Sequence, residues 1–476
     1  MQESANHTID ESLITSLSPE QAWHYRVFPI KLAGETLTLG IDENSNNIDI
    51  EEELEMILGL PIKIEKSKSE LVDQLLEKHY SNNRSDSRSQ NNYYSGNQDD
   101  FLQHLIKEAR GLKSSDIHIE SYEEFCRVRI RIDGMLLQRY LLQKEQYPAL
   151  INKIKIIAHL DIAEKRLPQD GRILFENDNS KIDIRVSVIP TLYGEKVVLR
   201  LLSNDTTKID LSSIGLTQFD MANYLEGIKR PNGIVLICGP TGSGKTTTLY
   251  ATLKLLNKDS RNILTIEDPI EYTLEGINQV QLKDSIGLTF AAALRTFLRQ
   301  DPDIIMVGEI RDSETADMAI RAALTGHLVL STIHTNSAWG IISRLIDMGV
   351  PSFLIANTLN TAAAQRLVRV LCPNCKRKEG FTKNLYPPKF KAPVEVDSHF
   401  VPVGCNKCHN TGYRGRKAIF EVIAIDEELA FEIKASNHKV DGLLKERNIK
   451  TLSENAFEIF QNGETSIDEI YPILVN

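Results

Sequence analysis

Tryptophan occurs twice and cysteine six times in this chain of 476 residues, and no apolar run comes near the ~18 residues that a membrane helix needs. The longest runs, such as Gly233 to Gly239, are far too short, so no membrane-spanning helix is expected. An excess of basic residues is also missing. The formal net charge is −10, which argues against a protein whose main task is to neutralise phosphates along a nucleic acid, and no nucleic-acid partner is expected. The first residues, MQESANHTIDESL, carry no basic start, apolar stretch or small-residue cleavage site; the chain is therefore expected to stay in the cytoplasm, with any membrane association peripheral. Four of the six cysteines fall into two C-x-x-C pairs, while Cys126 and Cys238 sit singly in apolar strands as core residues. In a reducing compartment that spacing points to metal ligation rather than disulfides.

Length alone suggests three or four compact parts. Residues 1–79 alternate short apolar strands (Val27 to Ile30, Thr36 to Ile41) with helical segments (Leu71 to His79), as in a small α+β domain. The stretch SNNRSDSRSQNNYYSGNQ has almost nothing to bury and reads as a flexible linker over 80–98. A helix is expected from Asp99 or Asp100, with Leu102, Leu105, Ile106 and Ala109 on one face and a stop at Gly111. It opens an α+β domain over 99–205, in which FCRVRIRID places Arg127, Arg129 and Arg131 opposite an apolar face and further strands carry Arg185 and Arg200. From Gly233 buried strands alternate with helices: GIVLIC, NILTIE, DIIMVG and LVLSTI, the rhythm of a parallel α/β sheet over 206–365. Beyond Asn360 helices interrupted by the cysteine pairs are expected, with a cysteine module over 366–420 and a small helical region over 421–476.

GPTGSGKT follows a β-branched strand and opens a helix, the setting of a phosphate-binding loop. Along Gly239, Pro240, Thr241, Gly242, Ser243 and Gly244 the glycines let backbone N–H groups converge on a β-phosphate, Lys245 reaches the β- and γ-phosphates, Thr246 can ligate magnesium, and Thr247 completes the expected nucleotide-binding residues. ATP and Mg2+ are the expected ligands. DPDIIMVGEIRD ends an apolar strand on Glu309, placed to organise magnesium or water, with Asp303 as a cap at its start. ILTIEDPIEY ends another strand with Glu267, Asp268 and Glu271, any of which can polarise the attacking water; spacing does not choose among them. His327 and His334 bracket the strand of ALTGHLVLSTIHT, beside the expected nucleotide, as sensors of the γ-phosphate. Cys372, Cys375, Cys405 and Cys408 supply four thiolates for a closed, structural Zn2+ site.

Taken together, GPTGSGKTTTLY, TIEDPIEY, DPDIIMVGEIRD and TGHLVLSTIHTN resemble the type II secretion and type IV pilus assembly ATPases over about 99–413. The resemblance implies a RecA-like P-loop core, a preceding PAS-like domain and a ring of identical chains, a homohexamer. It makes Glu271 the catalytic carboxylate, with Glu267 the alternative, and Glu309 the acid of the second phosphate-site strand. It also makes Arg129, Arg131, Arg172 and Arg185 the arginines that reach nucleotide in the ring, a task suited to a planar guanidinium held on a strand. The implied work is ATP-driven assembly of a type IV pilus or a type II secretion pseudopilus at the inner membrane. Its implied partners are a membrane platform protein and the cytoplasmic domain of a membrane adaptor. The tetracysteine module favours extension over retraction. The N-terminal region looks like the family's adaptor domain but lacks an RLG-type repeat for cyclic dinucleotides, which leaves a protein partner at the membrane. A DNA-uptake or conjugation motor, and a scaffold that binds ATP without turnover, are the alternatives; DNA-stimulated hydrolysis or absent turnover would favour them.

Overall fold

The computed structural model describes residues 13, 16–17, 19–34, 36–42, 50–69, 71–72, 75–76, 98–177, 180–202, 210–437 and 439–475. The chain divides into two compact units, Met1–Asn91 and Asn92–Asn476. The expected linker, apart from residue 98, and most of the helix expected up to His79 lie outside the described residues.

In the first unit, α1 (Pro19–Tyr25) precedes β1 (Val27–Ala33), β2 (Thr36–Asp42), α2 (Ile50–Leu58) and β3 (Ile62–Ser67). β1 pairs antiparallel with β2, and β2 pairs parallel with β3 because α2 supplies the crossover. Phe28, Leu37, Leu39 and Leu54 close its core. A Cβ at Gly40 would lie 2.4 Å from the Phe28 ring, so the aromatic can lie across β2 only at a glycine.

The second unit opens with α3 (Gln98–Gly111), β4 (Asp116–Ser121), β5 (Cys126–Ile132), β6 (Met135–Leu142), α4 (Tyr147–Ile157), β7 (Gln169–Asn177), β8 (Ser180–Thr191) and β9 (Gly194–Leu202). The strands form a six-stranded antiparallel sheet in the order β6-β5-β4-β9-β8-β7. The α3 residues Leu102, Leu105, Ile106 and Ala109 are buried, as the periodicity requires. Apolar residues of β5 turn inward (Val128, Ile130) while its arginines line the other face. There the buried carboxylate of Glu120 receives Arg127 at 3.0 Å, Arg129 at 2.8 Å and Lys196 at 3.1 Å.

The chain then passes through α5 (Gln218–Lys229), β10 (Gly233–Cys238), α6 (Lys245–Leu256), β11 (Ile263–Glu267), β12 (Asn278–Gln281), α7 (Phe290–Phe297), β13 (Ile304–Val307), α8 (Ser313–Leu324), β14 (Leu328–Ile333), α9 (Gly340–Asp347) and α10 (Ser352–Thr358). It continues through β15 (Leu359–Leu371), β16 (Arg377–Gly380), β17 (Ser398–Val401), β18 (Tyr413–Ala424), α11 (Glu427–Lys434), α12 (Asp441–Glu446), α13 (Leu452–Gln461) and α14 (Ile467–Leu474). The second sheet has seven strands in the order β12-β11-β13-β14-β10-β15-β18, parallel throughout except for antiparallel β15–β18. Every residue of β10, β11, β13 and β14 is buried, which is what a parallel sheet covered on both faces demands.

One expectation is corrected here. Instead of helices beyond Asn360, LNTAAAQRLVRVL forms the long strand β15, and residues 413–424 return as β18 to the same sheet. Ala, Gln, Arg and Leu favour a helix locally, but a place beside β10, with Leu359 to Gln365 fully buried, overrides that preference. The step from motor core to cysteine module expected at residue 365 therefore falls inside a single strand.

Candidate nucleotide site and tetracysteine cluster

β10 ends at Cys238, and the chain reverses through glycines at φ +148° (Gly239), +81° (Gly242) and +90° (Gly244), values that side chains rarely tolerate. A Cβ on Gly239 would stand 2.4 Å from the Gln365 carbonyl oxygen, and one on Gly244 would stand 2.8 Å from Gln365 Nε2. The loop thus rests directly on β15. Gly244 leads into α6 with no side-chain cap, so the first-turn N–H groups stay open for an anion. The buried Ser243 hydroxyl makes no hydrogen bond among the described residues. An uncapped helix end, an orphaned buried hydroxyl and a loop seated on β15 only because Gly239 and Gly244 lack a Cβ fit a bound triphosphate. Lys245 Nζ donates to the Gly239 and Pro240 carbonyls at 2.8 and 3.0 Å, and burial lowers its pKa against the opposing pull of Glu309. Pro240, Thr241 and Thr246 are exposed at the mouth, and Thr247 is half-buried.

Glu309 follows β13, which lies between β11 and β14. Its carboxylate accepts from Arg311 and lies 3.3 Å from His334 Nε2. Burial pushes its pKa up, but Arg311 and His334 outweigh that and hold it below the usual carboxylate range. Arg311 also stands 3.6 Å from Asp268, so Asp268, Arg311, Glu309 and His334 form one charged chain at the carboxyl ends of neighbouring strands. Open α/β sheets bind ligands at such ends.

The remaining expected residues divide. Glu267 is buried and accepts from Tyr250 Oη, from Thr265 Oγ1 at 2.6 Å and from Gln279 Nε2 at 3.1 Å. Three donors on its carboxylate and its burial set Glu267 apart from the more open Glu271. Glu271 is over a third exposed and 3.5 Å from Arg185, whose guanidinium also donates to the Ile270 carbonyl. Neither Lys245 nor Glu309 touches Glu271 among the described contacts. His327 sits at the amino end of β14, where Gly233 N donates to its carbonyl, a six-residue strand or about 20 Å away from His334. Its Nδ1 meets the Ala322 carbonyl at 2.9 Å, closing the end of α8, so within one chain it does not share a phosphate with His334. Arg129 is committed to Glu120, and Arg131 donates to the Gly134 carbonyl at 2.7 Å with Asp116 at 3.6 Å. Arg172 and Arg185, joined by Arg200, line a cavity of about 510 Å3 against Pro269 and Gln281. A second cavity of about 530 Å3 lies between Gly242, Leu367, Arg369 and Arg416 and the β5–β6 turn at Asp133 and Gly134. Asp133 accepts there from Gly415 N at 2.7 Å.

Residue-by-residue reading missed Arg311, Gln365 and Tyr250. Arg311 lies two residues beyond Glu309 and could have been flagged by that spacing, whereas Gln365 and Tyr250 carry no local signal.

The four pair-forming cysteines converge, with all four Sγ atoms within 4.8 Å of one another. Cys372–Cys405 are 3.9 Å apart, and Cys375–Cys408 and Cys405–Cys408 are each 3.7 Å apart, close to the about 3.8 Å that separates sulfurs at 2.3 Å from a tetrahedral zinc. Backbone N–H groups of Cys405 and Gly412 point at Cys408 Sγ at 3.1 and 3.3 Å and orient that sulfur within the cluster.

Comparison with known proteins matches two family models: "Type II/IV secretion system protein" over residues 95–472 and "MshEN domain" over residues 2–86. "Type II secretion system protein E" of Aeromonas hydrophila is 39% identical over 445 residues, 88% of each chain. "Putative type II secretion system protein E" of Escherichia coli K12 is 47% identical over 370 residues, 77% of this chain and 74% of that one. "Type IV pilus assembly ATPase PilB" of Myxococcus xanthus is 46% identical over 373 residues, 77% and 66%. Among solved structures, the Legionella pneumophila ATPase DotB aligns with TM-score 0.59 at 25% identity over 79% of this chain and 95% of that one. The pilus retraction motor PilT with bound ADP aligns with TM-score 0.53 at 25% identity over 77% and 95%.

Proposed function

The chain belongs to the type II/IV secretion system protein family, a family of motor ATPases, and we propose that it works as a homohexamer that spends ATP on building a type IV pilus or a type II secretion pseudopilus. The observation that carries this reading is the glycine cradle at 239–244, followed by an uncapped helix and facing the Glu309–His334 pair across the strand ends.

In this reading the amides of 239–246 and Lys245 hold the phosphates. Thr246 and Glu309 would hold a magnesium ion, which would supply charge neutralisation for the phosphate. Glu271 accepts the proton of the attacking water. Because Arg185 engages Glu271 in the resting chain, binding must loosen that pair before the carboxylate can act. His334 hydrogen-bonds Glu309 and registers loss of the γ-phosphate. Arg172, Arg185 and Arg200 offer their cavity to the nucleotide of a neighbouring chain. Cys372, Cys375, Cys405 and Cys408 hold zinc in a closed structural site. Residues 1–79 bind the cytoplasmic part of a membrane adaptor, and a membrane platform protein receives the stroke. No described helix is long and apolar enough to cross a membrane.

Lys245→Ala or Glu309→Ala should lower magnesium-dependent phosphate release by about a hundredfold or more with an unchanged circular dichroism spectrum. Full turnover in either variant refutes the site.

A further inference from the structure

The segment His334–Trp339 leaves the carboxyl end of β14 beside the phosphate loop, where Cys238 Sγ donates to the Ser337 carbonyl at 3.2 Å. Two charged side chains from distant parts of the sequence fasten it. Arg366 on β15 donates through Nη2 to the Asn336 carbonyl at 2.9 Å and through Nη1 to the Gln365 carbonyl at 3.1 Å. The same Gln365 carbonyl forms the floor under Gly239. Glu421 on β18 is only 4% exposed. One of its oxygens accepts from Ala338 N at 2.9 Å, and the other accepts from Leu452 N at 3.1 Å, the first residue of α13. Ala364 is the cross-strand partner of Glu421, so Arg366 is its diagonal neighbour on the same face, within electrostatic reach.

A carboxylate as enclosed as Glu421 is costly, and an apolar side chain of similar volume would fill its space at least as well, while Arg366 is half-buried beside it. Each residue instead commits one hydrogen bond to the backbone of the segment that carries His334 and another to a neighbouring element, Arg366 to the Gln365 carbonyl on β15 and Glu421 to Leu452 N on α13. We propose that Arg366 and Glu421 are positioning residues for ATP hydrolysis, a clamp that holds 334–339 against the phosphate loop and couples its displacement to β15, β18 and α13. β15 runs into Cys372, and β18 begins five residues after Cys408, so movement passed along them arrives at both ends of the cysteine module. The proposal rests on the nucleotide reading given above.

The test uses full-length Arg366→Met, Arg366→Lys and Glu421→Gln chains, the glutamine retaining shape and one acceptor oxygen. For Arg366→Met and Glu421→Gln, kcat should fall by about tenfold to a hundredfold while the Kd for a fluorescent ATP analogue stays within about threefold. Arg366→Lys, which keeps one donor for the Asn336 carbonyl, should recover a large part of kcat. In nucleotide-free chains, backbone hydrogen exchange over 334–342 should quicken in Glu421→Gln and stay unchanged over 245–256. Unchanged kcat, a proportional loss of kcat and affinity, or unaltered exchange over 334–342 overturns the clamp. If the wild-type chain binds no ATP, the nucleotide reading fails instead, and the exchange measurement still decides whether the clamp exists. Should Glu421→Gln not fold, the Arg366 pair carries the kinetic test alone, and Arg366→Met replaces it in the exchange measurement.

Discussion

Glu120 and Glu267 are both buried carboxylates, and each is held by donors that the linear order of the chain does not reveal. Burial would raise the Glu120 pKa, but Arg129, Lys196 and Arg127 together lower it from 4.5 to about 2. A depressed pKa adds stability that is complete above pH 4.5 and lost as pH falls toward 2, here on the order of 3 kcal/mol. Thermal melts between those pH values should therefore show a loss in the wild type that Glu120→Gln lacks, the variant being less stable throughout the neutral range. Glu267 leads to a second expectation. Because Tyr250, Thr265 and Gln279 occupy its oxygens, Glu267→Gln should chiefly lower Tm, whereas Glu271→Gln should remove turnover and leave Tm alone. Parallel melts and phosphate-release assays on the two variants check this, and the reverse pattern would make Glu267 the base.

At the level of elements, β15 is the piece on which most depends. Its middle forms the floor of the phosphate loop through Gln365, its edge pairs with β18, and its end delivers Cys372 to the metal cluster. Local propensity reads it as a helix, whereas the hydrogen-bonding edge of β10 makes it a strand. The cysteine cluster ties β15 to β18 at the far end, so chelation or Cys372→Ser should release about one zinc per chain and raise exchange over 366–420 more than over 233–256. Metal analysis alongside exchange measurement checks both, and purified chain without stoichiometric zinc rejects the assignment.

For the molecule as a whole, the arginines carried on several strands of the six-stranded sheet have separate tasks. Arg129 and Arg131 neutralise acids of their own sheet, Arg200 pairs with Asp116 at 3.0 Å while also lining the cavity beside the Glu271 loop, and Arg172 and Arg185 line that cavity with it. If that cavity serves a neighbouring chain, turnover per chain should rise with protein concentration and track the mass of a nucleotide-dependent ring measured by light scattering. Arg172→Ala should weaken that dependence by about tenfold without unfolding the chain. Concentration-independent turnover from a monomer would remove the cavity from the mechanism.

The phosphate loop, the apolar strands that end in acids, the two cysteine pairs and the alternation of strand and helix were legible in the chain itself. Each is a short-range pattern whose chemistry depends on residues a few positions apart. What the linear order left open was decided by contacts between distant segments: β18 joining a sheet begun at Gly233, and Glu267 held by three donors while Glu271 stays accessible. Burial and hydrogen-bond supply are properties of the packed chain, and neither is encoded at any one position.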